Sequence, residues 1–486
     1  MTIFKIFRNE LFYLCLILIA AFVVRLYEIN TPLADWHSWR QADTSAVSRN
    51  FIKEGFNPFY PKFDDLSGIS ENPLHNPNGY RFVEFPIYNI AVYPVYLLMG
   101  VNIIFDRLVS IIFSLGSLIF IFLITKKYTS KVSALLAAAT FGLLPFSVFF
   151  SRTTLPEPTF VFFSLGMIYF VDRWIWEKKY LVIALLFTMI AFLVKPWAIF
   201  FFLPLLYSVI KKEGRIIPVR SRYILFFIAG ILPFVIWRIW ILQFPEGIPA
   251  SSWLMNSDHI RFRPAFFSWI ISERLGGEIL GVTGLFLLLV GLLKRQNNYF
   301  LHFWFLSGIL YLTIFATGNV RHNYYQYQLL PILSIFVSIG LSSLIKGFNE
   351  FIPRVWTIFI GVLFFVLMFY FTWLPVKEFY KINNMPIVKA GEFVDKTLPQ
   401  NAIIIAPYNG DTAFLYQTNR KGFAFSPIPV KGMITNFGTT HWVSTAKDAK
   451  TNWVSRHFEV IEDNPEFIVI DLTKMTKGFS NDDPEP

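Results

Sequence analysis

Residues 107–150 read RLVSIIFSLGSLIFIFLIT, KKYTSK, VSALLAAATFGLLPFSVFF: an apolar run from Arg107 to Thr125, a basic connector from Lys126 to Lys131, and a second apolar run from Val132 to Phe150. A helix of about 19 residues covers about 28 Å, close to the thickness of bilayer hydrocarbon. The stretch therefore reads as a helical hairpin that enters and leaves a membrane. Outward from it the pattern recurs at 9–27, 86–104, 158–174, 180–194, 196–210, 222–242, 278–293, 299–316, 326–345 and 355–374. Composition agrees, since the 486 residues are 55% hydrophobic and only 15% charged, with a mean hydropathy of +0.50. A soluble average is about 25% charged. Disordered, collagen-like and disulfide-rich secreted classes are excluded. The single cysteine, Cys15, lies within the first run and can form neither an intrachain disulfide nor a thiol metal site.

The net charge of +11, from 43 Lys and Arg against 32 Asp and Glu, would suggest nucleic acid in a soluble chain. In a membrane protein the basic residues instead mark the cytoplasmic side. If 86–104 spans, the connectors Lys126–Lys131, Arg173–Lys179, Lys211–Arg222 and Lys294–Arg295 fall outside, against that rule. If it lies at the interface or re-enters, all of them fall inside. Its Pro86, Tyr88, Asn89, Tyr93, Pro94 and Tyr96 favour the interface. Lys5 and Arg8 precede the first run, which continues to Tyr27 without an A-x-A cleavage pattern, so it reads as a retained signal anchor.

The expected architecture is a polytopic α-helical membrane protein of about 11 transmembrane helices, N-terminus cytoplasmic, in the plasma (inner) membrane. A transmembrane domain, 1–374, carries external loops at 28–106 and 243–277. The segment 375–486 forms a small extracytoplasmic α/β domain. Asn401–Pro407 and Glu466–Asp471 read as short buried strands, Asp411–Thr418 as a helix capped by Asp411, and Ser480–Pro486 as a frayed end. The cytoplasmic connectors are too short for a Rossmann unit or P-loop, and no Gly-rich nucleotide motif occurs. Chemistry is therefore expected on the external face.

Polar residues gather at that face. Trp36 to Phe51 places Trp39, Ala42, Ala46 and Arg49 on one stripe, the pattern of an amphipathic helix on the membrane surface with Asp43 near its start. Asp43 is either a capping carboxylate beside Arg40 or a catalytic one. Glu157, between Pro156 and Pro158, is either a helix N-terminal charge or a second functional acid. Lys195 is either a snorkelling lysine or a phosphate ligand. Around Arg321, His322, Tyr324, Tyr325 and Tyr327 a cation, an imidazole and phenols crowd together, while Arg261, Arg263 and Arg274 flank the 243–277 loop. Carboxylates and cations at one interface suit a reaction between a lipid-borne phosphate ester and a hydroxyl nucleophile. Arg25 and Arg238 sit near outer ends and His302 is the only ionisable side chain expected well inside a span, and the absence of further ones weakens a coupled transporter.

The ordered set Trp39-Arg40-Gln41-Ala42-Asp43-Thr44, Glu84-Phe85-Pro86 before Asp106-Arg107-Leu108, Ser151-Arg152 to Glu157, Phe192-Leu193-Val194-Lys195-Pro196, and His322 to Pro331 resembles the C-type (GT-C) membrane glycosyltransferases. That family uses polyprenyl-phosphate sugars and includes the protein O-mannosyltransferases and the lipid A aminoarabinose transferases. The resemblance covers the membrane half of the chain. It implies transfer of a sugar, hexosyl or pentosyl, from a polyprenyl-phosphate donor to an acceptor hydroxyl on an envelope lipid, glycan or protein, with inversion. Asp43 falls at the family's essential acidic position and Glu157 at its second. Arg40, Arg81, Glu84, Lys195, Arg261, Arg274, Arg321, His322, Tyr324 and Tyr325 are the implied substrate-binding residues. Two departures stand out. Phe85 occupies the place of a lysine in the aminoarabinose transferases, so the donor phosphate would need Arg81 or a cation from Arg261 to Arg274, and the second acid is Glu rather than the commoner Asp. No His/Asp spacing marks a metal site, which leaves divalent metal use open. A lipid-linked sugar transporter or flippase is the alternative, although repeat symmetry and intramembrane charges are not evident. Partners expected are the lipid donor, the acceptor and membrane lipids, not nucleic acid.

Overall fold

The computed structural model describes residues 9–71, 75–214, 220–347, 352–476 and 485–486. Lys5, Arg8, part of the Lys211–Arg222 connector and most of Ser480–Pro486 lie outside the described residues. The chain divides into two compact units: Met1–Ile29, Arg107–Trp240 and Ser251–Glu378 form one, and Asn30–Asp106, Ile241–Ala250 and Phe379–Pro486 the other. This differs from the expected division at 374/375, because the first long loop packs with the tail, and residues 251–277 pack with the apolar helices.

The first unit is helical. Among the described residues four helices are long and apolar enough to cross a membrane, or six if each bent pair counts as one span. They include Ile103–Tyr128, Ser221–Trp240 and Arg354–Lys381. Several of the expected runs are broken rather than continuous. Lys131–Leu143 turns by 60° into Pro145–Ser151, and Pro264–Ile279 turns by 107° into Gly281–Leu293. Run 196–210 is a 3-10 helix, Pro196–Phe201, followed by Phe202–Glu213. Pro145 and Pro196 lack the N–H an unbroken helix needs, and Gly281 sits at φ 64°. Run 86–104 holds the 13-residue helix Ile87–Met99, with Pro94 inside it, and ends in the first residues of helix Ile103–Tyr128. At about 20 Å helix Ile87–Met99 is too short to cross.

Small residues let two of these helices touch backbone to backbone. A Cβ on Gly291 would fall 1.9 Å from the Phe336 carbonyl oxygen, and one on Gly340 would fall 2.0 Å from that of Leu287. Buried charge is also more frequent than expected from His302 alone. Arg25 donates to Ser151 Oγ at 2.6 Å and to the Ala21 carbonyl at 2.8 Å. Asp172 accepts from Tyr128 and Ser208, each at 2.7 Å, and from Lys127.

The second unit is built on a five-stranded mixed sheet in the order β2-β1-β3-β5-β4. The strands are β1 (Ile403–Ile405), β2 (Lys421–Phe423), β3 (His441–Ser444), β4 (Phe458–Asp463) and β5 (Ile468–Met475). β1 runs parallel to β2 and β3, whereas β5 is antiparallel to β3 and β4. One core holds Ile404, Val443 and Val469 with Ile387 and Val394 from helix Met385–Thr397, and it takes in Ala34 and Ala42 of the first long loop. A second core holds Trp442, Ile470 and Trp453. The loop also extends the sheet edge: Leu66 N–H donates to the Gly422 carbonyl at 2.8 Å, and Gly422 N–H to that of Asp64 at 3.0 Å. Gly422 is required there, since a Cβ would meet the Ile404 carbonyl oxygen at 1.8 Å.

Candidate active site

The helix Ser38–Lys53 corrects the amphipathic reading. Ser38 and every residue from Arg40 to Phe51 are buried, on all faces. Most of its polar side chains are satisfied by neighbours in the same unit, with Ser45 Oγ and Arg49 Nε the buried exceptions. Gln41 donates to Asp35 at 2.7 Å, and Asn89 donates to the Thr44 carbonyl at 2.7 Å and to Ser48 Oγ at 2.8 Å. Arg49 pairs with Asp64 and lies 4.1 Å over the Tyr416 ring. The stripe of Trp39, Ala42, Ala46 and Arg49 is one face among several buried ones.

Asp43 does not cap this helix. It lies in the second turn, and the N-cap is His37, with no side-chain cap bond. Only 3% exposed, Asp43 accepts from Arg81 Nη2 on Oδ2 at 2.6 Å and from Thr412 Oγ1 on Oδ1 at 2.6 Å. Arg81, itself buried, lies over the Phe63 ring at 4.8 Å, and its Nε is buried without an acceptor. One Nη2 of Arg40 reaches both oxygens of Glu84, at 2.6 and 2.8 Å. Burial raises the Asp43 carboxyl above its ordinary range, against the opposing pull of Arg81, Thr412 and Arg40. Burial likewise pushes Asp65 up to about 6 although Ser67 hydrogen-bonds both its oxygens. Asp411, half-buried, is also pushed up by burial to about 6. Perturbed carboxyls beside arginines are the chemistry of proton-transfer sites.

The membrane unit holds the other predicted acid. Glu157 opens helix Glu157–Glu177 and is 4% exposed. Its Oε1 accepts from Lys195, while Oε2 is buried without a partner. Lys195 comes directly after helix Leu181–Val194 and is buried, so it does not snorkel. The Trp197 and Tyr325 rings lie 4.7 and 5.4 Å from its ammonium. From Tyr325 a chain of ring contacts continues to His322 at 5.6 Å, from His322 to Tyr324 at 5.5 Å and Trp253 at 5.6 Å, and Arg321 lies 5.5 Å over Trp253. Arg274 and Arg261 have structural acceptors. Arg274 pairs with Glu278 and donates to the Val320 carbonyl at 3.0 Å. Arg261 donates to the Ile314 carbonyl at 2.8 Å, at the end of helix Phe300–Ile314.

Sequence reasoning thus reached Asp43, Arg81, Arg40, Glu84 and the Glu157–Lys195–Tyr325 group. It missed Thr412, Asp65 and Asp411. The adjacent acids Asp64-Asp65 were a visible signal, whereas Thr412 carries none, lying 369 positions from Asp43. Among the described residues no three His, Cys, Asp or Glu side chains come together as a metal set. The partners of Asp43 are a guanidinium and a hydroxyl, which do not suit a cation site.

Comparison with known proteins bears on the fold. ArnT from Cupriavidus metallidurans, in a crystal structure bound to undecaprenyl phosphate, superposes with a TM-score of 0.64 over 94% of this chain and 97% of its own, at 11% identity. The apo oligosaccharyltransferase of Archaeoglobus fulgidus gives 0.56 over 92% of this chain and 73% of its own, at 10% identity. The fold is that of the GT-C membrane glycosyltransferases. Residues 86–240 match the family model of dolichyl-phosphate-mannose-protein mannosyltransferases. That stretch carries Glu157 and Lys195 of the GT-C pattern. An uncharacterized protein of Aquifex aeolicus is 36% identical over 130 residues, which span 26% of this chain and 31% of that relative. The resemblance read from the motifs and the GT-C fold agree, and the chain is a multi-pass membrane protein.

Proposed function

We propose that the protein is a glycosyltransferase that moves a sugar from a polyprenyl-phosphate donor to an acceptor hydroxyl. The observation that carries this reading is the buried Asp43 carboxylate, held on one oxygen by Arg81 and on the other by Thr412, within a GT-C fold. A carboxylate oxygen has two lone pairs, so each Asp43 oxygen keeps one for an incoming hydroxyl. In the reaction, Asp43 takes the acceptor's hydroxyl proton as its oxygen bonds to the anomeric carbon. The bond from that carbon to the phosphate oxygen breaks, and the anomeric centre inverts in a single displacement. The electron pair leaves on the polyprenyl phosphate, where cations stabilise the developing charge. Arg81 suits this role because its Nε–H has no protein acceptor. For Lys195, Arg321 and the neighbouring tyrosines we assign donor binding, on the chemistry of a cation framed by rings. Glu157 is assigned a supporting role through Lys195.

The acceptor is an envelope lipid, glycan or protein, and the reaction runs on the external face. This rests on the positive-inside rule, which puts the basic connectors in the cytoplasm. In a Cys15→Ala background, a cysteine at His441 should react with an impermeant thiol reagent from outside, and one at Lys126 should not. Labelling of the Lys126 position from outside would invert the assignment.

The central test is Asp43→Asn, assayed as sugar transfer by purified protein from a labelled polyprenyl-phosphate donor. Loss of a general base should lower turnover by about 10² to 10⁴, with a thermal melt to show that the variant is folded, at a lower midpoint because Arg81 loses its carboxylate. A well-folded variant with near-native turnover would remove Asp43 from the reaction.

A further inference from the structure

The tail reaches the Asp43 carboxylate through one short turn. Asp411 N–H donates to the Tyr408 carbonyl at 2.8 Å, and between them Asn409 (φ 52°) and Gly410 (φ 77°) take the chain through the left-handed region. Asp411 then fixes the start of the next helix, as its Oδ1 accepts from Ala413 N–H at 2.7 Å and its Oδ2 from Ser38 Oγ at 3.2 Å. Thr412 is thereby held as the residue before helix Ala413–Gln417. A threonine hydroxyl has one proton to give. Thr412 directs it to Asp43 Oδ1 at 2.6 Å, with the Trp39 carbonyl a more distant second acceptor at 3.3 Å.

We propose that Thr412 is a positioning residue for Asp43, so that the tail domain completes the acid–base site. This rests on the reading of Asp43 as the base. With Arg81 on Oδ2 and Thr412 on Oδ1, both carboxylate oxygens are tethered, which sets the plane of the carboxylate as well as its charge. A hydrogen bond to the charged form favours that form. The Thr412 bond therefore opposes the burial that raises the Asp43 carboxyl, and losing it raises the carboxyl further. The other charged groups acting on Asp43 are Arg81 and Asp65 from the first long loop, Asp64 beside them, Arg40 on its own helix and Asp411 on the tail.

The test compares Thr412→Val, which keeps shape without the donor, with Thr412→Ser, which keeps the donor. The full-length protein is used in detergent, with a panel of radiolabelled undecaprenyl-phosphate hexoses and pentoses and washed membranes as the acceptor source. For Thr412→Val we expect kcat to fall ~10-fold with the donor KM unchanged. The acid limb of the pH profile should move up by about one unit, and Thr412→Ser should restore both. In parallel, carbodiimide labelling of the Asp43 peptide against pH, read by mass spectrometry, needs no substrate. Its midpoint should rise in Thr412→Val and not in Thr412→Ser. An unmoved midpoint in Thr412→Val, or equal losses in the Val and Ser variants, overturns the proposal. Full turnover in Asp43→Asn, together with a labelling midpoint shifted in Thr412→Val, would instead remove the base assignment and leave the Thr412 coupling standing.

Discussion

Two of the buried carboxylate–cation pairs, Asp43–Arg81 in one unit and Glu157–Lys195 in the other, are built differently. Asp43 meets a guanidinium on one oxygen and a hydroxyl on the other, amid Asp64, Asp65, Asp411 and Arg40. Glu157 meets a single ammonium, Lys195, framed by the Trp197 and Tyr325 rings, and its second oxygen is buried without a partner. The first arrangement couples many titrating groups, the setting in which a proton can be taken up or released. The second sets one ammonium and one carboxylate together beside aromatic rings, and places the carboxylate at a helix N-terminus that favours it. A buried pair of that kind holds charge in place. The contrast teaches that two buried acids of one chain need not share a role.

The largest effect that would break this contrast is on stability. Removing one partner of a buried pair strands the other and costs about 3 to 5 kcal/mol, whereas replacing both by neutral groups of similar size is often tolerated. Glu157→Ala should therefore lose that much in a denaturant titration of the detergent-solubilised protein, and Glu157→Gln with Lys195→Met should recover most of it. If Glu157→Ala is as stable as the native protein, the pair is not the closed electrostatic unit described.

The next effect separates charge holding from donor binding. A charge-assisted contact to phosphate contributes about 1.5 to 3 kcal/mol, or roughly ten- to a hundred-fold in affinity. Lys195→Ala and Arg321→Ala should weaken apparent donor affinity by that factor while acceptor affinity changes little. Unchanged donor affinity in both variants would confine the Lys195 cluster to a structural role.

How much of this was legible in the sequence depends on the range of the forces involved. The apolar runs were visible because the membrane imposes length and hydropathy locally, yet the breaks at Pro145, Pro196 and Gly281 turn several runs into bent or irregular helices. Helix Ser38–Lys53 was found, but its setting was misjudged. A polar helix is normally read as solvated, and here Asp35, Asn89, Asp64 and Thr412 satisfy it from elsewhere in the chain. Strands β2 and β3, of 3 and 4 residues, are too short to show a period. β1 and the start of β5 were recognisable from the short apolar runs Ile403–Ile405 and Ile468–Ile470, which is what a covered sheet favours. Asp43 and Glu157 emerged from ordered motifs and Asp411 as the start of a helix, while the approach of Thr412 and Asp411 to Asp43 could emerge only from the folded chain.

The smallest effect sharpens the claim that the Asp43 neighbourhood is a coupled titrating cluster. Asp65 has an ordinary value of 3.8 and a folded value of about 6, raised by burial. The folded state thus binds more protons than the unfolded state between those values, so stability falls as pH rises. The contribution of Asp65 is complete below 3.8 and is lost as pH passes through 6. From pH 5 to 6.5 that loss is about 1 kcal/mol. Asparagine cannot ionise, so Asp65→Asn should flatten the dependence by this amount. Because the Asp65 backbone bridges to Gly422 of β2, hydrogen exchange of the Lys421–Phe423 peptide is the sensitive probe, corrected for intrinsic exchange. Equal pH slopes in the native and Asp65→Asn proteins would mean that Asp65 titrates as an ordinary surface carboxyl. The cluster around Asp43 would then lose one of its members, and the contrast with the isolated Glu157–Lys195 pair would narrow.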